Sequence, residues 1–351
     1  MNLKGTIRAG VEDVASRVPL RFIPRAWART PCLPLYHLVS DVAPVHVKHL
    51  YAVRDVATFQ ADLEYFARAF VPISLSDLVA HARNGRELPP RALCLTFDDG
   101  FREVADVIAP LCSRMGVPAA FFLNTASLDN KALCFRNQAS VLIDRLMRAS
   151  AASVAAVARS LQLPDSATIK TISSSVRQIR FADASRLSAL AAILEIDFAS
   201  YLSEARPYLT SDQVRTLCSQ GFEIGAHSVD HPLYSELSLA DQVRQTETCV
   251  TELKRIFGLT SCSFGFPFVS DGVPQDFYDA MLARDVVDLI FCIGAMPAGH
   301  PRILQRLWME SAATTPASRL IQRQWARDAG SRAAGRLRRN HPPKQVLAGG
   351  G

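Results

Sequence analysis

RALCLTFDDGFREVADVI, residues 91–108, sets a largely apolar run directly against two aspartates and a glycine. A run that is apolar on both faces reads as a buried strand, and such strands belong to parallel sheets covered by helices. A buried strand gains nothing by ending in paired carboxylates, because two like charges side by side raise the free energy unless a cation meets them. Either the turn is solvated, or Asp98 and Asp99 have a chemical role. The residues that follow carry helical spacing and close at Gly116, a residue suited to a C-cap.

Outward from this unit, the same alternation recurs. Before it stand two apolar strand candidates, CLPLYHLV and VPISL, separated by a segment with Phe59, Leu63, Phe66 and Phe70 at helical spacing. After it, VPAAFFLN reads as a further buried strand. Residues 129–207 break the rhythm: they are alanine-rich, helical in pattern and without an obvious strand, so an all-helical insertion is expected there. The alternation then resumes. Thr210 and Gln213 have capping-box spacing, FEIGA is a strand, and a helix runs from Ser238 to Gly258. CSFGFPF, DLIFCIG and RILQRLWME supply further strand candidates. Seven or so strand–helix steps predict a barrel-like or doubly wound α/β domain, with function at the C-terminal ends of the strands. The expected organisation is an N-terminal segment over 1–29 that forms a surface helix, a main domain over 30–318 with the insertion inside it, and a basic C-terminal helix and disordered tail over 319–351.

The 351 residues, 49% of them hydrophobic, suffice for a large core. No run of about eighteen uncharged apolar residues occurs, which argues against a membrane-spanning helix. Residues 1–29 lack the apolar centre and small-residue cleavage site of a secretory signal, so a cytoplasmic protein is expected. The eight cysteines are scattered and none forms a C-x-x-C pair, which speaks against a cysteine zinc site or a disulfide framework. The net charge of +6 is uneven: from Arg319 onward, 8 basic residues against Asp328 give 8 − 1 = +7, leaving 6 − 7 = −1 for the rest. The near-neutral body argues against a nucleic-acid partner, and a solvated tail is the simpler reading. Residues 1–29 mix Val, Leu, Phe, Ile and Trp with arginine. With the basic tail, they are compatible with peripheral contact to an anionic membrane surface at the cytoplasmic face, although packing against the domain is the simpler role.

The second motif, GFEIGAHSVDHPLYSEL, ends another strand candidate in His227, with His231 four residues on. In one parallel sheet, Asp98, Asp99, His227 and His231 emerge at the same end of the domain. Two imidazoles and a carboxylate with open positions form a common catalytic set for a borderline divalent cation such as zinc. The spare aspartate then serves as a base toward water, and the cation offsets the like-charge cost. Each motif alone has a plainer reading, a solvated turn or a hydrogen-bonded histidine. Their shared position at strand ends favours the site.

LCLTFDDG and IGAHSVDHPLYSELS resemble the first and second motifs of the polysaccharide deacetylases (NodB-homology domain, carbohydrate esterase family 4). LPLYHLVSD and FQADLEYFARAFVPISLSDLVAH are similar to the N-terminal region common in bacterial members. The resemblance covers roughly residues 32–128 and 208–312. It implies a distorted (β/α) barrel of the NodB-homology type with the helical insertion, and removal of an acetyl group, N-acetyl foremost, from an acetylated sugar or glycan precursor. It also implies Asp98 as base, Asp99, His227 and His231 as ligands of one divalent metal ion, and a hydroxyl at Ser228 that holds the histidine loop. Zinc is the expected metal, with cobalt, nickel and iron as alternatives.

Two parts of the family pattern are missing. The third motif, Arg-x-Pro-aromatic, keeps Pro267 and Phe268, expected at the substrate, but has Phe264 or Gly265 where the arginine belongs. Arg306 and Arg302 are the candidate replacements. The late histidine that supplies the general acid is not recognisable, and His300 or His37 stands in for it. Without a competent acid, the alternative is a catalytically inactive metal-holding relative that binds a glycan or another partner.

Overall fold

The computed structural model describes residues 30–297, 299–310 and 314–333. The expectations for residues 1–29 and for the tail beyond 333, the proposed membrane contact among them, lie outside the described residues. In chain order the first half is β1 (Pro34–Tyr36), α1 (Val56–Ala69), β2 (Val71–Pro72), α2 (Leu75–Asn84), β3 (Ala92–Leu93), β4 (Leu95–Phe97), α3 (Ala109–Arg114) and β5 (Ala119–Leu123). Five α-helices follow: α4 (Phe135–Leu146), α5 (Ala151–Ser160), α6 (Ile169–Arg177), α7 (Ser185–Ile193) and α8 (Phe198–Ala205). The second half comprises α9 (Ser211–Ser219), β6 (Glu223–Ala226), α10 (Leu239–Phe257), β7 (Phe264–Gly265) and α11 (Gln275–Ala283). It ends with β8 (Ile290–Cys292), β9 (Ile303–Gln305), β10 (Leu307–Trp308) and α12 (Ala317–Ala333).

Local chemistry sets these boundaries. Asp55 caps α1 by accepting from Thr58, the Thr210–Gln213 capping box opens α9, and Ser238 caps α10, which Gly258 closes in the left-handed region. Eight strands form one sheet in the order β10-β1-β4-β5-β6-β7-β8-β9, every neighbouring pair parallel. The two ends of that order, β9 and β10, are pieces of one run with Arg306 alone between them. Arg306 donates its N–H to Cys292 of β8 at 2.8 Å, and Leu307 donates to Leu33, next to β1, at 2.9 Å. One run therefore bonds on both sides and closes the sheet into a distorted (β/α) barrel, as expected. VPISL forms a strand as read, β2, but it pairs with β3 in a separate two-stranded sheet and not with the eight strands of the barrel.

The helices α4–α8 carry a core of their own, built on Phe135, Ile143, Val157, Ile172 and Leu187. Side chains of α4 tie it to the loop after β1: Ser140 donates to Val45 O at 2.6 Å and Asn137 to His46 O at 2.8 Å. At the other end of the chain, α12 lies on the body. Its first amide donates to Asp62 at 2.8 Å, Ile321 is buried, and Trp325 packs against Phe70 with ring centroids 6.0 Å apart. No helix among the described residues is long and apolar enough to cross a membrane.

Candidate active site

The parallel strands end on one rim, and that rim collects His37 after β1, Asp98 and Asp99 after β4, Asn124 after β5, His227 after β6 and Phe268 beyond β7. The loops there are bent hard. Asp99, Ser228, His231 and Phe268 all adopt left-handed backbone, at φ 72°, 69°, 64° and 57°. Non-glycine residues at positive φ cost of order 1 kcal/mol or more and concentrate at functional sites. Glycine is favoured at 100: besides its φ of 65°, a Cβ there would lie 2.8 Å from the Leu123 side chain.

Asp99, His227 and His231 converge so that one donor atom from each lies within 4.8 Å of the others. Asp99 Oδ1 stands 3.4 Å from His227 Nε2 and 3.2 Å from His231 Nε2. Yet Asp99 Oδ1 and His227 Nε2 are buried without a well-formed hydrogen bond. Buried polar atoms left in this way call for a partner. His227 Nδ1 donates to Gly265 O at 2.8 Å, which fixes the tautomer and leaves the Nε2 lone pair facing the cluster. Burial raises Asp99, but His231, His227 and His37 outweigh it and hold the carboxyl well below its usual range. Burial lowers His231, but Asp99 and the Cys134 thiol carry it up to about 10. The donor set and its orphaned atoms fit a divalent cation. Ser228 Oγ accepts the His231 N–H at 3.0 Å and pins the loop, as the resemblance implies, while Asn124 donates to the His227 carbonyl from below.

An arginine from the barrel seam, one of the two candidate replacements, meets Asp98. Arg306 reaches inward and forks onto Asp98, Nη1 to Oδ1 at 2.7 Å and Nη2 to Oδ2 at 2.6 Å, with both side chains essentially unexposed. Its guanidinium stacks over Phe122 at 5.3 Å and Phe291 at 5.8 Å. Gly265 is what makes room: a Cβ there would lie 3.0 Å from Arg306 Nη2. Arg302, the other candidate, pairs instead with Asp285 at 2.8 Å and with the Asp288 carbonyl, away from Asp98.

Of the two candidate acids, only His37 joins the cluster. His300 is exposed and precedes β9, so it sits at the rim where strands begin, and this placement corrects its expected role. His37 Nδ1 bonds Glu310 Oε2 at 2.5 Å, and the same carboxylate accepts the His37 and Leu38 amides at 2.9 and 3.2 Å and the Trp308 indole at 3.3 Å. Burial lowers His37, but Glu310, with Asp99 and Asp98 behind it, more than offsets this and raises the ring to about 9. Tyr51 packs on that ring at 5.2 Å. Glu310 has no motif of its own; the only signal for it was its place two residues after Trp308 in a strand that ends on this rim.

The insertion reaches the same rim. Phe268 meets His231 edge to face at 4.5 Å, and Phe135 of α4 meets Phe268 at 6.4 Å. Arg136 lies over both phenyl rings, 5.9 Å from Phe135 and 5.7 Å from Phe268. Pro267 is buried behind them.

A sequence profile described as polysaccharide deacetylase matches residues 85–272, a little over half of the chain. Among solved structures, the Streptococcus pyogenes deacetylase PplD in complex with acetate superposes with a TM-score of 0.54 at 13% identity, over 83% of this chain and 96% of that one. IcaB from Ammonifex degensii gives 0.51 at 15%, over 85% and 97%. A de-N-acetylase from Aggregatibacter actinomycetemcomitans gives 0.51 at 14%, over 84% and 99%. At these identities the likeness is one of fold. No curated protein matches the chain.

Proposed function

The chain belongs to the polysaccharide deacetylase family, and on that footing we propose that it hydrolyses an N-acetyl group of a glycan sugar with one divalent cation held by Asp99, His227 and His231. The observation that carries the reading is the convergence of those three donors, two of their atoms buried and unpartnered, beside an Asp98 that is already paired. Two imidazoles and a carboxylate suit zinc, and also cobalt, nickel or iron. When bound, the cation supplies Lewis acidity toward water and the acetyl carbonyl.

The proton transfers belong to the chain's own groups. Asp98, held at both oxygens by Arg306, is oriented to accept the proton of the attacking water. Arg306 packs against both Phe122 and Phe291, which hold it in place, so it fixes the carboxylate and offsets its charge throughout. On the other side of the cluster, His37 is anchored through Nδ1, which leaves Nε2 to hand a proton to the departing sugar nitrogen. The carbon–nitrogen bond then breaks, releasing acetate and a free amine. Phe268 offers an apolar face next to His231 on which a sugar ring can rest.

Metal content tests this reading without any choice of substrate. Elemental analysis of the wild type is expected to find about one transition-metal ion per chain, lost in His231→Ala prepared alongside, because removal of one of three protein ligands opens the site. A wild type that stays metal-free after reconstitution with zinc, cobalt, nickel or iron refutes the proposed centre.

A further inference from the structure

Arg136 and Arg177, two arginines of the insertion, are not absorbed by the chemistry above. Arg136 is half-buried against Phe135 and Phe268, so two ring contacts separate its guanidinium from His231. One of its nitrogens donates to the Arg177 main-chain carbonyl. Arg177 stands beside it, with its own Nε buried and unpartnered. Among the described residues no carboxylate bonds to either side chain, whereas Arg148, Arg159 and Arg180 of the same insertion pair with Asp144, Asp165 and Asp183. Burial lowers Arg136, and Arg177 adds to the effect.

A guanidinium has five N–H donors in a fixed fork that matches carboxylate and phosphate oxygens. Placing two such cations together, partly desolvated and without a counter-ion, costs free energy that a bound anion would offset. Phe268, the ring proposed to meet the sugar, is in contact with one of them. We propose that Arg136, supported by Arg177, recognises a negatively charged group on the acetylated sugar, so that the substrate of this site is an anionic glycan unit carrying a carboxylate or a phosphate near the acetyl group. The proposal rests on the deacetylase reading and adds the substrate class to it. The insertion thereby gains a function, since α4 brings the cationic wall to the rim of the barrel.

The test uses the zinc-loaded full chain with Asp98→Asn, which binds without turnover, titrated calorimetrically with N-acetylglucosamine, its 1-phosphate and the corresponding N-acetyl uronic acid. An anionic probe is expected to bind at least about tenfold more tightly than the neutral sugar, the low end for a charge-assisted pair at a half-exposed site. Arg136→Gln is expected to erase that advantage, so that charged and neutral probes bind alike; Arg177→Gln is expected to reduce it. Preference for the phosphate alone, or for both anions, identifies which charged group the fork takes. Equal binding of all three probes, no measurable binding of either anion, or an advantage that survives both substitutions overturns the proposal. Should Arg136→Gln fail to fold, Arg177→Gln and loss of the anionic advantage at high salt carry the same decision. Acetate release from the neutral and from both anionic sugars by zinc-loaded wild-type protein is read separately. Release without anionic preference sinks this inference alone, and anionic preference without release sinks the deacetylase reading while leaving the anion site.

Discussion

Arg306→Met is expected to lower stability by about 3–5 kcal/mol, because it strands Asp98 as a buried carboxylate with no cation in contact. Deacetylation is expected to fall at least about a hundredfold, since the base loses the fork that orients it. Arg306→Lys rescues little: one ammonium cannot meet both oxygens in a fork or lie as a plane against Phe122 and Phe291. Replacing both partners, Asp98→Asn with Arg306→Met, is expected to cost less stability than Arg306→Met alone, since no charge is then left uncompensated. Urea denaturation of the four proteins checks the stability changes. An Arg306→Met protein as stable and as active as the wild type would mean that the pairing across the barrel seam contributes neither stability nor rate.

The second large effect concerns His37 and Glu310. Removing the imidazole in His37→Gln is expected to reduce kcat by about 10²–10⁴, the usual range for a general acid, with a smaller change in KM. The pH dependence gives a sharper signature. His37 is raised to about 9 from an ordinary 6.5, so its charge stabilises the fold fully below 6.5, and this contribution is lost as pH rises through about 9. A reaction that needs the imidazolium should lose rate over the same upper range. Glu310→Gln removes the largest opposing charge and leaves burial set only against Asp99 and Asp98, which lowers the ring from about 9. The basic limb of kcat/KM is therefore expected to move to lower pH. A limb that stays in place in Glu310→Gln means another group donates the proton.

How much of this was legible in the chain depends on distance along it. The aspartate pair and the two histidines announce themselves because each sits where an apolar strand stops, and parallel strands bring such ends together. The seam does not. Arg306 and Asp98 are 208 positions apart, and nothing local says that the last strand closes against β1. Both Arg306 and Arg302 therefore fitted the gap at Gly265, and only barrel closure separates them. His300 drew attention by standing near β9 in sequence, yet a residue before a strand lies at the wrong rim. His37, at the end of β1, satisfied the rule that places chemistry at the C-terminal ends. The apolar run VPISL has the composition of a stave but pairs outside the barrel, because composition records burial and not the partner. Arg136 was invisible for the opposite reason: a cation on a polar helix reads as solvated until an aromatic wall is found behind it.

One measurement bears most directly on the enzyme proposed here: acetate released from an N-acetylated glycan by the metal-loaded protein, with Asp98→Asn as its control. The expected result is release by the wild type that is abolished by a chelator, restored by zinc and reduced at least about a hundredfold in Asp98→Asn. Release that is indifferent to the chelator and to Asp98, from a protein that binds its metal, would contradict both the proposed centre and the proposed base.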